Sequence, residues 1–233
     1  GAEDIRWFEA DPTFVLHFTN AYEDGDEIVL DGFFEEDPAP VEPSAGDKWQ
    51  KAFRFLALDR LRTRLHRWRF NLVTGGTREE PLTDSITEFG MINPGHAGSG
   101  YRYVYAASGK PGWFLFDGLV RHDLETGSEE RFSFGEGVFG SETAMAPRVG
   151  STGEDDGYLI TLTTDMNADA SYCLVFDAAR PADGPVCKLA LPERISSGTH
   201  STWVSGSELR HWHGVDHAAD ALGFQNGLLR ASR

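Results

Sequence analysis

Cysteine is almost absent from this 233-residue chain, which holds only Cys173 and Cys187. Two cysteines cannot build a disulfide framework, so a packed core must hold the fold together. Both are expected to be buried free thiols. No apolar run reaches the ~18 residues that a membrane-spanning helix requires. Basic residues are also in the minority, 21 against 37 acidic ones, for a formal charge of −16. Such a surface repels a phosphate backbone, which excludes non-specific nucleic-acid binding. No signal-peptide pattern precedes the first strand-like run, Ile5–Phe8, and a cytoplasmic location is expected. The chain opens on Gly1 rather than methionine, and is expected to be the C-terminal part of a longer protein.

What is present is glycine, 26 residues, set mostly in turn contexts such as Asp24-Gly25, Thr126-Gly127 and Asp156-Gly157. Between the turns lie short, aromatic-rich runs, among them Gly100–Tyr105, Tyr158–Leu162 and Glu27–Asp31. Short strands separated by glycine turns predict an all-β fold. One phrase then recurs. Arg69-Phe70-Asn71-Leu72-Val73-Thr74-Gly75 returns as Arg121-His122-Asp123-Leu124-Glu125-Thr126-Gly127, with a fainter echo at Asp177, at spacings of 52 and 54 residues. A period of about 50 residues built from strands is that of a propeller blade. After the three phrases come Glu88, Glu142 and His200, at offsets of 17, 19 and 23 residues. His17, in a predicted apolar strand Phe14–Phe18 that a turn over Asn20–Asp26 follows, occupies the place in its blade that Glu142 occupies in a later one. Residues in equivalent places of successive blades face one axis.

Other segments carry weaker signals. Phe33 to Asp47 is acidic, holds Pro38, Pro40 and Pro43, and reads as a surface loop. Asp47 to Phe70 holds eight of the 21 basic residues, interleaved with Trp49, Phe53, Phe55 and Trp68. A peripheral membrane contact and a solvated strand face are the alternative readings of it, and the alternation over Leu65–Phe70 favours the strand. Asp24-Gly25-Asp26 fails as a calcium loop, because Val29 stands where that motif needs glycine. Residues 205–233 break the repeat and read as a tail; His213 and His217 there have no carboxylate or cysteine pattern to complete a zinc site.

An imidazole in an apolar strand is ordinarily a core residue, but convergence of His17 and His200 with two carboxylates on one axis suggests a metal site. Neutral imidazole ligands suit iron, copper, zinc or nickel. Glu88 and Glu142 interrupt apolar runs, where a buried charge is costly unless paired. Accepting a hydrogen bond from a ligand histidine would account for them, as would salt bridges to Arg102 or Arg148.

Four segments, in order, resemble the carotenoid cleavage oxygenase family, which includes the lignostilbene dioxygenases and the retinal-pigment-epithelium isomerohydrolase. His17-Phe18-Thr19-Asn20-Ala21-Tyr22-Glu23 is similar to its H-x-x-N-A-Y-E signature, and Glu88-Phe89-Gly90-Met91-Ile92-Asn93 to its E-F-x-x-I-N segment. Gly140-Ser141-Glu142, Pro147-Arg148 and Glu154-Asp155-Asp156-Gly157 resemble G-S-E…P-R…E-D-D-G; Gly198-Thr199-His200-Ser201-Thr202-Trp203 resembles G-F-H-G-x-W. The resemblance implies a seven-bladed β-propeller whose C-terminal half spans residues 1–204, with 205–233 unmatched. It implies Fe(II) held by four histidines, of which His17 and His200 are two, with Glu88 and Glu142 orienting ligand imidazoles. It implies two further ligands in an N-terminal half that is missing here; His66, His96 and His122 lie in no matching segment. Thr199 and Ser201 depart from the phenylalanine and glycine that flank the last ligand. The implied activity is dioxygen-dependent cleavage of a conjugated carbon–carbon double bond in an apolar carotenoid, apocarotenoid or stilbene, giving two carbonyl products. The alternative is a propeller fragment without catalysis, serving as a binding or scaffolding module.

Overall fold

In a computed structural model, residues 2–36, 62–109, 115–196 and 198–213 are described. The chain divides into a large unit, 1–202, and a small one, 203–233. Among the described residues of the large unit, thirteen strands form three successive antiparallel meanders. The first is β1 (Phe18–Asp24), β2 (Glu27–Glu35), β3 (Thr63–Asn71) and β4 (Thr77–Pro81), a four-stranded sheet in sequence order. The second is β5 (Thr87–Met91), β6 (Tyr103–Gly109), β7 (Phe116–Asp123) and β8 (Ser128–Ser133). In the third, β9 (Val138–Gly140) and β10 (Ala144–Pro147) share the first place, followed by β11 (Gly157–Asp165), β12 (Ala170–Asp177) and β13 (Pro185–Ala190). A single pairing, Phe116 with Gly140, joins the second and third meanders into one nine-stranded sheet. The small unit contributes one helix, α1 (Gly206–His213). No helix among the described residues is long and apolar enough to cross a membrane.

The recurring phrase is the turn from third strand to fourth. Asn71 ends β3, Asp123 ends β7 and Asp177 ends β12. Each turns its side-chain oxygen back onto the following amides: Asn71 Oδ1 accepts from Val73 and Thr74, Asp123 Oδ1 from Glu125 and Thr126, and Asp177 Oδ1 from Ala179. Short polar side chains stabilise a tight turn this way. Gly75 and Gly127 close the first two turns at φ 74° and 71°, a left-handed conformation that glycine adopts freely.

The core lies between neighbouring meanders. Phe33, Leu65, Ile92, Val104 and Ala106 fill the first seam; Tyr105, Leu119, Met145, Leu159, Leu174 and Phe176 fill the second. Each large side chain there contributes roughly 1.5–3 kcal/mol by leaving water. Polar motif residues tie the seams. Asn20 accepts from the Gly98 amide and donates to the Ser99 carbonyl, both at 3.0 Å. Asn93 Nδ2 donates to the Glu154 carbonyl (2.8 Å), and Glu154 Oε1 accepts from the amides of Arg102 and Tyr103 (2.8 and 2.7 Å).

Several local expectations need correction. Neither Ile5–Phe8 nor residues 14–17 form a strand, because nothing among the described residues pairs with them in a sheet, and the strand read there starts only at Phe18 and runs through the expected turn at Asn20 to Asp24; Ala2–Asp4 is a single 3-10 turn. Phe33 is no loop residue: it pairs with Leu65 in β2 and is wholly buried. The loop reading of 37–47 and the basic aromatic stretch up to residue 61 lie outside the described residues. Both thiols are free, but Cys187 is exposed and Cys173 half-buried, since they lie on β13 and β12 at the edge of the sheet.

Candidate metal centre

The first places of the three meanders carry the predicted residues to one region. His17 immediately precedes β1, with its carbonyl accepting from the Phe33 amide (3.1 Å). Glu88 is the second residue of β5. Glu142 lies in the break between β9 and β10 rather than inside a strand, and His200 follows β13, where a further first strand would begin.

His17 Nδ1 stands 2.6 Å from Glu88 Oε2. That oxygen also accepts from the Phe89 amide (2.7 Å), and Glu88 is 1% exposed. The hydrogen bond to Glu88 raises the His17 pKa against the opposing effect of burial, and the charges of Glu88 and Glu142 add to it. A carboxylate accepting from Nδ1–H leaves Nε2 as the atom with a free lone pair. On the other side, His200 Nδ1 lies 3.5 Å from Glu142 Oε2. Glu142 Oε2 takes its shorter bond from the Ser201 amide (2.6 Å), and Ser201 Oγ donates to the Glu142 carbonyl (3.0 Å). The two imidazoles face each other edge-on, centroids 5.0 Å apart with planes at 78°. Phe89 lies against both, at 4.4 Å from His17 and 5.6 Å from His200, and rests on Phe116 at 5.2 Å.

A ring bound through one nitrogen has its centroid about 3 Å from the metal, so two ligands at a right angle place their centroids roughly 4–5 Å apart. The observed separation fits a shared ion. The donor chemistry, two neutral imidazoles each backed by a carboxylate, fits a divalent transition metal. Among the described residues no third histidine, cysteine or carboxylate joins them as a ligand group.

Neither of the two arginines named as salt-bridge partners for the carboxylates pairs with Glu88 or Glu142. Arg102 pairs with Asp123 and Glu125, and Arg148 with Asp156. Other described imidazoles lie elsewhere: His66 Nε2 pairs with Glu79 (3.1 Å), His96 Nδ1 with the Gly100 carbonyl (3.2 Å), and His122 is buried in β7 with its Nδ1 3.3 Å from Glu129. His211 and His213 fall in α1 and His217 outside the described residues. Sequence reasoning passed over Phe89 and Ser201. The first follows the glutamate in the quoted motif, and the second departs from the family pattern; neither fact announces a role.

The retinal pigment epithelial membrane protein family matches residues 1–205. The chain belongs to this family. Its relatives include carotenoid 9,10(9',10')-cleavage dioxygenase 1 of Pisum sativum, 34% identical over 221 residues that cover 88% of this chain and 39% of that protein. Lignostilbene-alpha,beta-dioxygenase isozyme III of Sphingomonas paucimobilis is 30% identical, over 89% of this chain and 44% of that protein. Among solved structures, cobalt-substituted Synechocystis ACO superposes with a TM-score of 0.75 at 26% identity, over 85% of this chain and 41% of that one. The chain thus spans about two fifths of the length of these family members.

Proposed function

We propose that this chain supplies two of four histidine ligands, His17 and His200, to the Fe(II) centre of a dioxygenase. The enzyme cleaves a conjugated carbon–carbon double bond of a carotenoid, apocarotenoid or stilbene into two carbonyl products. The observation that carries the reading is the edge-on pair of imidazoles 5.0 Å apart, each with a buried carboxylate behind its Nδ1. Membership of a family that contains carotenoid- and lignostilbene-cleaving dioxygenases supports the substrate class. The remaining ligands, and the closure of a seven-bladed propeller, belong to a longer protein that contains this chain.

Bound iron would supply the activation of dioxygen. The chain's own residues have three tasks. Glu88 holds the Nδ1 proton of His17 and keeps Nε2 free for the metal. Glu142, itself held by the Ser201 amide, stands behind His200. Phe89 and Phe116 form an apolar wall beside the imidazoles that excludes water from that side. Because the chain holds half of the ligands, the isolated 233 residues turn over no substrate.

In the longer protein, purified under nitrogen, His17→Ala and His200→Ala each abolish stoichiometric iron and oxygen uptake with an apocarotenal or a stilbene. Iron retained by both variants at the parent level would overturn the assignment.

A further inference from the structure

Only two non-glycine residues have a positive φ among the described residues: Asp169 (49°), a residue type that tolerates it, and Phe89 (56°). For a bulky aromatic side chain this is an outlier, and such outliers persist where surrounding structure imposes them. Here the cause is a β-bulge. Glu88 pairs with Ala107 and Met91 with Tyr105, so Phe89 and Gly90 together face Ala106 alone. A bulge of this kind ordinarily gives its left-handed position to glycine. The adjacent Gly90 answers a different demand: a Cβ there would stand 2.7 Å from Thr19 Oγ1 and 2.9 Å from the Phe33 ring.

Phe89 lies in the register shift between Glu88 and Met91, and its amide donates to Glu88 Oε2 at 2.7 Å, the same oxygen that lies 2.6 Å from His17 Nδ1. Glu88 Oε1 is buried and has no hydrogen-bond partner among the described residues. The orientation of the carboxylate therefore depends on what reaches Oε2. In an extended strand, the amide of residue 89 would point across the sheet and leave His17 as the sole donor.

We propose that Phe89 is a positioning residue acting through its backbone: its left-handed conformation sustains the β-bulge, and the bulge leaves its amide to hold the Glu88 carboxylate in the orientation that serves the His17 imidazole. The inference rests on the reading of His17 as a metal ligand, and assigns to the bulge what the ring contacts alone would not explain.

The test compares substitutions that keep or lose the left-handed conformation, made in the longer protein. Phe89→Gly removes the ring and keeps the conformation; Phe89→Val removes the ring and disfavours the conformation. In metal-free protein, histidine ¹⁵N shifts report whether the His17 proton sits on Nδ1; Co(II) titration reports affinity. Phe89→Gly should keep the Nδ1–H form with affinity within about threefold of the parent, while Phe89→Val should lose that preference and about 10–100-fold in affinity. Should Phe89→Val fail to fold, Phe89→Asn against Phe89→Ala repeats the contrast, with asparagine the better of the two. Equal losses within either pair, or parent-like behaviour of Phe89→Val, would overturn the proposal. A parent that takes up no Co(II) would defeat the metal-centre reading, and the ¹⁵N comparison would still decide whether the bulge locks Glu88.

Discussion

Glu88 is a carboxylate almost wholly out of water, with two donors on one oxygen and none on the other among the described residues. A buried charge so sparsely paired is costly to the fold, and holding an imidazole at a metal accounts for it. Glu88→Ala in the longer protein is expected to weaken iron binding by about 10–100-fold, measured by chelator competition under nitrogen. Glu142→Ala should cost less, because His200 Nδ1 stands 3.5 Å from its carboxylate, against 2.6 Å for the His17 pair. At this scale the convergence of the four polar residues was legible in the sequence, since each lies near the start of a repeat unit. The conformation of Phe89 was not. It arises from a mismatch between β5 and β6, and no local signal encodes the register of two strands that meet only in the folded sheet.

The repeated phrase acts at the scale of the element. Asn71 and Asp123 close equivalent third-to-fourth-strand turns, but Asp123 also takes both Nε and Nη2 of Arg102, at 2.8 and 2.7 Å. Asn71→Ala is expected to lower stability by about 1 kcal/mol in urea unfolding, and Asp123→Ala by more. The Arg102 bond chiefly, with the turn hydrogen bonds, holds the Asp123 carboxyl well below the usual carboxylate range, against the effect of burial. A carboxyl depressed in the folded state contributes stability that is complete above its unfolded pKa and is lost as pH falls. The Tm difference between parent and Asp123→Ala should therefore narrow as pH falls below about 4. Parallel curves would contradict this. Turns and most strands were readable because their signals are local. The strand assigned to Ile5–Phe8 was wrong because an apolar run becomes a strand only when an edge is there to pair with it.

At the scale of the whole molecule, the sheets formed by the described residues do not close. All six residues of β13 are exposed, and at the other end Phe14, Leu16 and Phe18 present an apolar strip beside β1, which among the described residues pairs only with β2. Open edges and apolar strips invite further strands. The isolated 233 residues are expected to self-associate on size exclusion as concentration rises, and to consume no oxygen with a stilbene or an apocarotenal. A monomer that turns over would refute both the incomplete site and the open edges as its cause.

By itself, the sequence determined the all-β class, the meander period and the turn that ends each third strand, and it singled out His17, Glu88, Glu142 and His200 as residues that converge. These are properties of spacing and residue type, which survive without coordinates. Tertiary structure alone decided which carboxylate stands behind which imidazole, that the arginines nearest in motif are engaged elsewhere, and that a phenylalanine takes a glycine's conformation at the centre. Those depend on distances between residues as far apart as 17 and 200, and only packing brings them within 5.0 Å of each other.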